Sequence, residues 1–212
     1  MSGKEPMNAA GAAPHRGIKV TIPTALTLLR IASIPVLVVV FFLPYSWTHL
    51  AAAAIFTLGA LTDWLDGWVA RRFGMYSAFG AFLDPVADKL AVAVALVLIV
   101  QRHPTMLMAV LAAIIIGREI TISALREWMA EIGQKARVRV AGIGKIKTIV
   151  QMVALVMLLY YQPIGPLPTL LIGEGLLGVA AALTLWSGFA YLRAAWPAMA
   201  ASDSDSDSSP RR

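Results

Sequence analysis

Cysteine is absent from the 212 residues. That excludes a disulfide framework and thiolate metal ligands. Charge is scarce as well: Asp, Glu, Lys and Arg make up 14% of the chain, against about 25% in ordinary soluble domains. Residues 1–20 lack the charged-then-apolar plan of a cleavable signal peptide. No internal repeat is read in the sequence, and no soluble appendage is expected. What remains is apolar side chain, 58% of all residues. The composition predicts one domain whose main solvent is lipid.

The apolar residues fall into runs at about 23–43, 50–70, 85–100, 105–130, 146–161 and 169–192. Turn signals separate them, among them Pro44 to His49, Gln101 to Pro104 and the three prolines of Gln162 to Pro168. Each run is read as a membrane-spanning helix, with Pro35 expected to kink the first. The expected fold is therefore an all-α integral membrane protein with six transmembrane helices. A tail over residues 1–20 precedes a membrane domain over 21–193. The Ser/Asp-rich stretch 194–212 is expected to be a disordered tail.

Six spans place both termini on one side. Lys4, Arg16, Lys19, Arg71, Arg72, Lys89, Lys135, Arg137, Arg139, Lys145, Lys147 and Arg193 fall on that side, and Arg102 alone on the other. The asymmetry predicts cytoplasmic termini in a bacterial inner membrane. It also turns the net charge of +6 into an orientation signal and an attraction to anionic lipid head groups. Basic residues do not alternate with aromatics outside the apolar runs, so nucleic acid is not an expected partner.

The stretch from Asp63 to Asp88 reads DWLDGWVARRFGMYSAFGAFLDPVAD. On a helix, positions 63, 66, 67 and 70 share an arc of about 100°, which sets Asp63 and Asp66 beside Gly67 and Ala70. A second helix is expected to start near Asp84 with Pro85 in its first turn, returning Asp84 and Asp88 on one face. One Asp at mid-membrane depth costs roughly 2.5–3.5 kcal/mol, so four would approach about 10–14 kcal/mol. Arg71, Arg72 and Lys89 are the nearby cations in sequence and are too few to offset this. Hard divalent cations held by carboxylate oxygens are the expected compensation, in a polar metal site at the cytoplasmic side. The competing reading makes these acids exposed loop residues or helix caps, and it fits Asp84 best.

The spacing D-x2-D-G-x2-A-R-x8-G-x3-D-x3-D resembles the full signature of the CDP-alcohol phosphotransferase family, with no departure at its eight fixed positions. The resemblance implies a membrane enzyme that displaces CMP from a CDP-linked lipid with an alcohol, using two divalent cations, Mg2+ or Mn2+. It implies Asp63, Asp66, Asp84 and Asp88 as metal ligands, with Asp88 as the catalytic base. It assigns CDP-diacylglycerol binding to Asp66, Gly67, Ala70, Arg71 and Gly80. It also suggests a homodimer.

Within that family, GREITISALREWMAE and the later GKIKT resemble the bacterial phosphatidylglycerophosphate synthases. So does the entry segment IPTALTLLR, although Thr24 stands where Asn is expected. The implied acceptor is sn-glycerol 3-phosphate, and Arg118, Arg126, Lys145 and Lys147 are the candidate ligands of its phosphate. Internal ion pairs of Arg118 with Glu119 and of Arg126 with Glu127 are the competing reading. Inositol phosphate, serine or phosphatidylglycerol are alternative acceptors. A metal-ion transporter using the same carboxylates is the alternative outside enzymes.

Overall fold

The computed structural model of the chain describes residues 21–73, 77–131 and 141–207, without the side chains of residues 22, 23, 64, 66, 70, 71, 78, 141–145 and 197–207. The described residues form six helices and no strand. These are α1 (Ile22–Phe42), α2 (Thr48–Phe73), α3 (Ala78–Arg102), α4 (Met106–Glu131), α5 (Ala141–Tyr160) and α6 (Thr169–Asp207). The all-helical expectation holds. By length and apolar composition α1, α4 and α6 are each sufficient to cross a membrane, and Ile146–Tyr160 of α5 is a shorter apolar helix. Helices α2 and α3 carry the aspartates instead.

Several boundaries differ from the apolar runs. Helix α3 starts at Ala78, not near Asp84, because Ser77 caps it: the Ser77 hydroxyl accepts the Gly80 N–H at 2.9 Å. Pro85 consequently lies inside α3, where it lacks the N–H that would bond one turn back. Helix α1 continues through Pro35. Helix α6 is longer than its apolar run and reaches Asp207.

Helix α1 packs on α2 and α3, and α6 packs on α4 and α5. Contacts of α2 with α5 and of α3 with both α4 and α5 join the two groups. Leu37, Phe56, Leu96, Ile99, Ile115 and Leu155 occupy the shared core. Small residues set the spacing: a Cβ on Gly173 of α6 would lie 2.9 Å from Leu158 Cγ of α5. Large apolar side chains such as Leu29, Val39, Phe82, Trp186 and Phe189 point away from the protein. A surface of this kind is stable in hydrocarbon and not in water.

The two ends of the bundle differ in chemistry. Where α1, α3 and α5 terminate, the Arg102 guanidinium lies over the rings of Phe41 (5.0 Å) and Tyr161 (4.7 Å). His49 meets Tyr160 edge-on at 5.1 Å. Tyr161 stops α5 in the left-handed region (φ 44°), with its N–H bonded to Met157 O. Apart from Arg102 and Glu174, the charged residues of the described helices lie toward the middle or the opposite end.

Candidate active site

Helix α1 contributes a polar stripe, Thr24, Thr27 and Arg30, at three-residue spacing on one face. All three are buried, with 1%, 0% and 4% of their surface exposed. Each meets the aspartate-bearing segment. Thr24 Oγ1 lies 2.8 Å from Ser77 Oγ and 2.9 Å from Thr21 Oγ1. Thr27 donates its hydroxyl hydrogen to Asp84 Oδ1. Arg30 donates from Nη1 to Asp63 Oδ1 at 2.8 Å and to Asp88 Oδ1 at 2.7 Å.

Asp63 of α2 and Asp84 and Asp88 of α3 therefore converge on one face of α1. Since Asp63 and Asp88 share one nitrogen, their Oδ1 atoms are at most 5.5 Å apart. Both carboxylates are nearly half exposed (44% and 45%), whereas the arginine side chain behind them is 3% exposed. The backbone places Asp66, Ala70 and Arg71 on α2, and their side chains lie outside the described residues. Gly67 is half-buried on the same helix.

Arg30 corrects the expectation that Arg71, Arg72 and Lys89 are the available cations. The guanidinium that meets the acids comes from 33 residues before Asp63. Its signal in the sequence was an arginine inside an apolar run, which requires an acidic or carbonyl partner at membrane depth. Threonines three and six positions earlier mark the same face.

Gly80 is buried, and a Cβ there would lie 2.8 Å from Thr24 Oγ1 and 3.0 Å from Ser77 Oγ. The space freed by the missing side chain is thus filled by α1. Thr24, which departs from the expected Asn, closes over the start of α3.

The donor set suits a hard divalent cation: oxygen ligands only, adjacent, and open on one side. Among the described residues no group of three His, Cys, Asp or Glu is drawn in tightly enough to hold a metal by itself. Asp66, the fourth expected ligand, is outside that set. A cavity of about 30 Å³ adjoins Asp63 and Asp88, lined also by Ile34, Leu37, Phe56 and Met152. It has room for a water molecule and none for a substrate.

A second polar cluster joins α4, α5 and α6. Glu119 Oε1 accepts from Lys147 Nζ at 2.8 Å and from Arg118 Nη1 at 3.0 Å. Arg118 Nη2 also donates to Ser187 Oγ of α6 at 2.9 Å. The Lys147 side chain is 6% exposed, so burial would be costly without Glu119. Two of the four expected phosphate ligands, Arg118 and Lys147, are therefore brought together by a shared acid. Arg126 is exposed and makes no ion pair with Glu119 or Glu127 among the described residues. The Lys145 side chain lies outside them. Ser187 was missed because α6 reads as generic apolar sequence.

A family model described as CDP-alcohol phosphatidyltransferase matches residues 20–186, spanning all the residues above. The chain belongs to this family. Relatives of the CDP-alcohol phosphatidyltransferase family from several bacteria align over most of its length. One from Pseudomonas fluorescens is 52% identical over 177 residues, covering 83% of this chain and 90% of the relative. Another from Salmonella choleraesuis is 52% identical over 174 residues, covering 82% and 94%. A Shigella flexneri relative has the same identity and coverage as the latter. All three are named CDP-diacylglycerol–glycerol-3-phosphate 3-phosphatidyltransferase.

Proposed function

We propose that the protein transfers the phosphatidyl group of CDP-diacylglycerol to sn-glycerol 3-phosphate, releasing CMP and forming phosphatidylglycerophosphate. The observation that carries this reading is the convergence of Asp63, Asp84 and Asp88 around α1. Relatives at 52% identity that bear the name of this reaction support it.

Asp63, Asp84 and Asp88, joined by Asp66, would hold Mg2+ or Mn2+ through carboxylate oxygens. Such a cation, when bound, neutralises the pyrophosphate and stabilises the departing CMP oxygen. Asp88 accepts the proton of the acceptor hydroxyl, and its exposed carboxylate is within reach of a substrate. The hydroxyl oxygen then attacks the phosphorus that carries the diacylglycerol, and the bond from that phosphorus to the CMP oxygen breaks. Arg118 and Lys147 hold the phosphate of glycerol 3-phosphate in the α4–α6 cluster. There a dianion would share or replace the charge of Glu119.

All six helices span the membrane in this reading, and the aspartate end faces the cytoplasm, where both water-soluble reactants are found. An up-and-down bundle is supported by their positions: Arg30, Asp84, Asp88 and Lys147 lie in the first halves of α1, α3 and α5, Asp63 in the second half of α2, and Arg118 and Glu119 at the middle of α4.

The test is an acceptor screen with purified protein and radiolabelled CDP-diacylglycerol. Glycerol 3-phosphate should give phosphatidylglycerophosphate with CMP in equal amount. Plain glycerol, serine, inositol phosphate and phosphatidylglycerol should give little product. Faster turnover with any of these would replace the assigned acceptor.

A further inference from the structure

Arg30 has a geometry that the transfer reaction by itself does not require. One nitrogen, Nη1, bonds carboxylates from two different helices, and the rest of the side chain is buried behind them. Asp63 and Asp88 would otherwise confront each other across a few ångströms at the edge of a buried region, where like charges repel. The guanidinium offsets this repulsion at any ordinary pH, because arginine stays charged in proteins. Thr27 serves Asp84 with a neutral hydroxyl instead. Among the three acids described, two depend on the same positive charge.

We propose that Arg30 is a positioning residue that stands in for a divalent cation: it holds Asp63 and Asp88 together while the site carries no metal. The proposal rests on the reading of these acids as cation ligands. Arg30 meets one oxygen of each carboxylate from the buried side, and both carboxylates are nearly half exposed. A cation can therefore enter from the exposed side without Arg30 leaving. It follows that Arg30 supports the empty site more than the filled one. Removing its charge should make the protein depend on metal for stability.

The experiment uses the purified full-length protein in detergent, with thermal unfolding followed in EDTA and in graded Mn2+. A ligand that binds the folded state stabilises it by RT ln(1 + L/Kd) at free concentration L, so the melting temperature climbs with the logarithm of its concentration above Kd. Arg30→Gln should lower the melting temperature in EDTA by roughly 5–10 °C, as expected for breaking a buried ion pair. Mn2+ should then raise it by more than it raises the native protein. Arg30→Lys, which keeps the charge without the fork, should fall between the two. A merely structural arginine would give equal losses with and without metal, and that result overturns the proposal. If Arg30→Gln yields no folded protein, it is combined with Asp88→Asn, which removes one of the two repelling charges. Recovery of folding in the double variant supports the proposal, and failure to recover while Asp88→Asn alone folds overturns it. Absence of any Mn2+ effect on the native protein would remove the acids as cation ligands, and this inference with them.

Discussion

Replacing Glu119 by Gln is the sharpest probe of the α4–α6 cluster. In the native protein its Oε1 takes hydrogen bonds from Lys147 at 2.8 Å and Arg118 at 3.0 Å. The substitution keeps shape and removes the negative charge, leaving a lysine that is 6% exposed beside an arginine with no acid between them. Breaking a fully buried ion pair costs about 3–5 kcal/mol. Glu119 is itself 29% exposed, so the lower part of that range applies, about 2–3 kcal/mol after solvent screening. For a chain of this size that is a fall of roughly 4–12 °C in melting temperature, read by thermal unfolding in detergent. Lys147→Met should also destabilise, yet Glu119→Gln with Lys147→Met should cost less than the two single losses added. Glycerol 3-phosphate should stabilise Glu119→Gln more than the native protein, because its phosphate restores the missing negative charge. A melting temperature within 1 °C of native for Glu119→Gln, together with strict additivity in the double variant, would refute the ion-pair account of the cluster.

Further outcomes follow from the same geometry. Asp88→Asn should retain CDP-diacylglycerol binding in an equilibrium assay while losing transfer by about 10²–10⁴-fold, and loss of binding as well would make it a structural ligand. Arg118→Ala should raise the KM for glycerol 3-phosphate by roughly 10- to 150-fold, with the KM for CDP-diacylglycerol nearly unchanged; the exposed Arg126→Ala should change either constant far less. Gly80→Ala should destabilise by about 1–3 kcal/mol in denaturation, because its Cβ meets Thr24 Oγ1 at 2.8 Å. Gly178→Ala, with nothing within 4 Å, is the neutral control.

The fold class was legible because lipid imposes a simple rule: apolar runs become helices when no water is present to satisfy the backbone. Asp63, Asp84 and Asp88 were legible because their spacing is local and helical periodicity maps it directly onto faces. Arg30 was not read as their partner, since pairing across 33 residues depends on how α1 packs, which no local pattern encodes. The start of α3 was placed too late for a related reason. Asp-Pro resembles a helix beginning, and the weaker signal of Ser77 three residues before Gly80 decided the matter. At the second cluster the sequence left two readings of Arg118 open. The structure shows it paired with Glu119, and also linked to Ser187, which no sequence pattern marked.

The far end of the bundle has a consequence for how orientation is encoded. Arg102 is the lone basic residue among the turns assigned to the outer side, and a bare count scores it against that assignment. It lies over Phe41 and Tyr161 and donates to the tyrosine hydroxyl, so ring faces offset part of its charge. The molecule thus divides its labour by depth. Rings and one exposed arginine tie α1 and α3 to Tyr161, the residue that ends α5. The ion pairs among the described residues, those of Arg30 and of Glu119, lie away from this end.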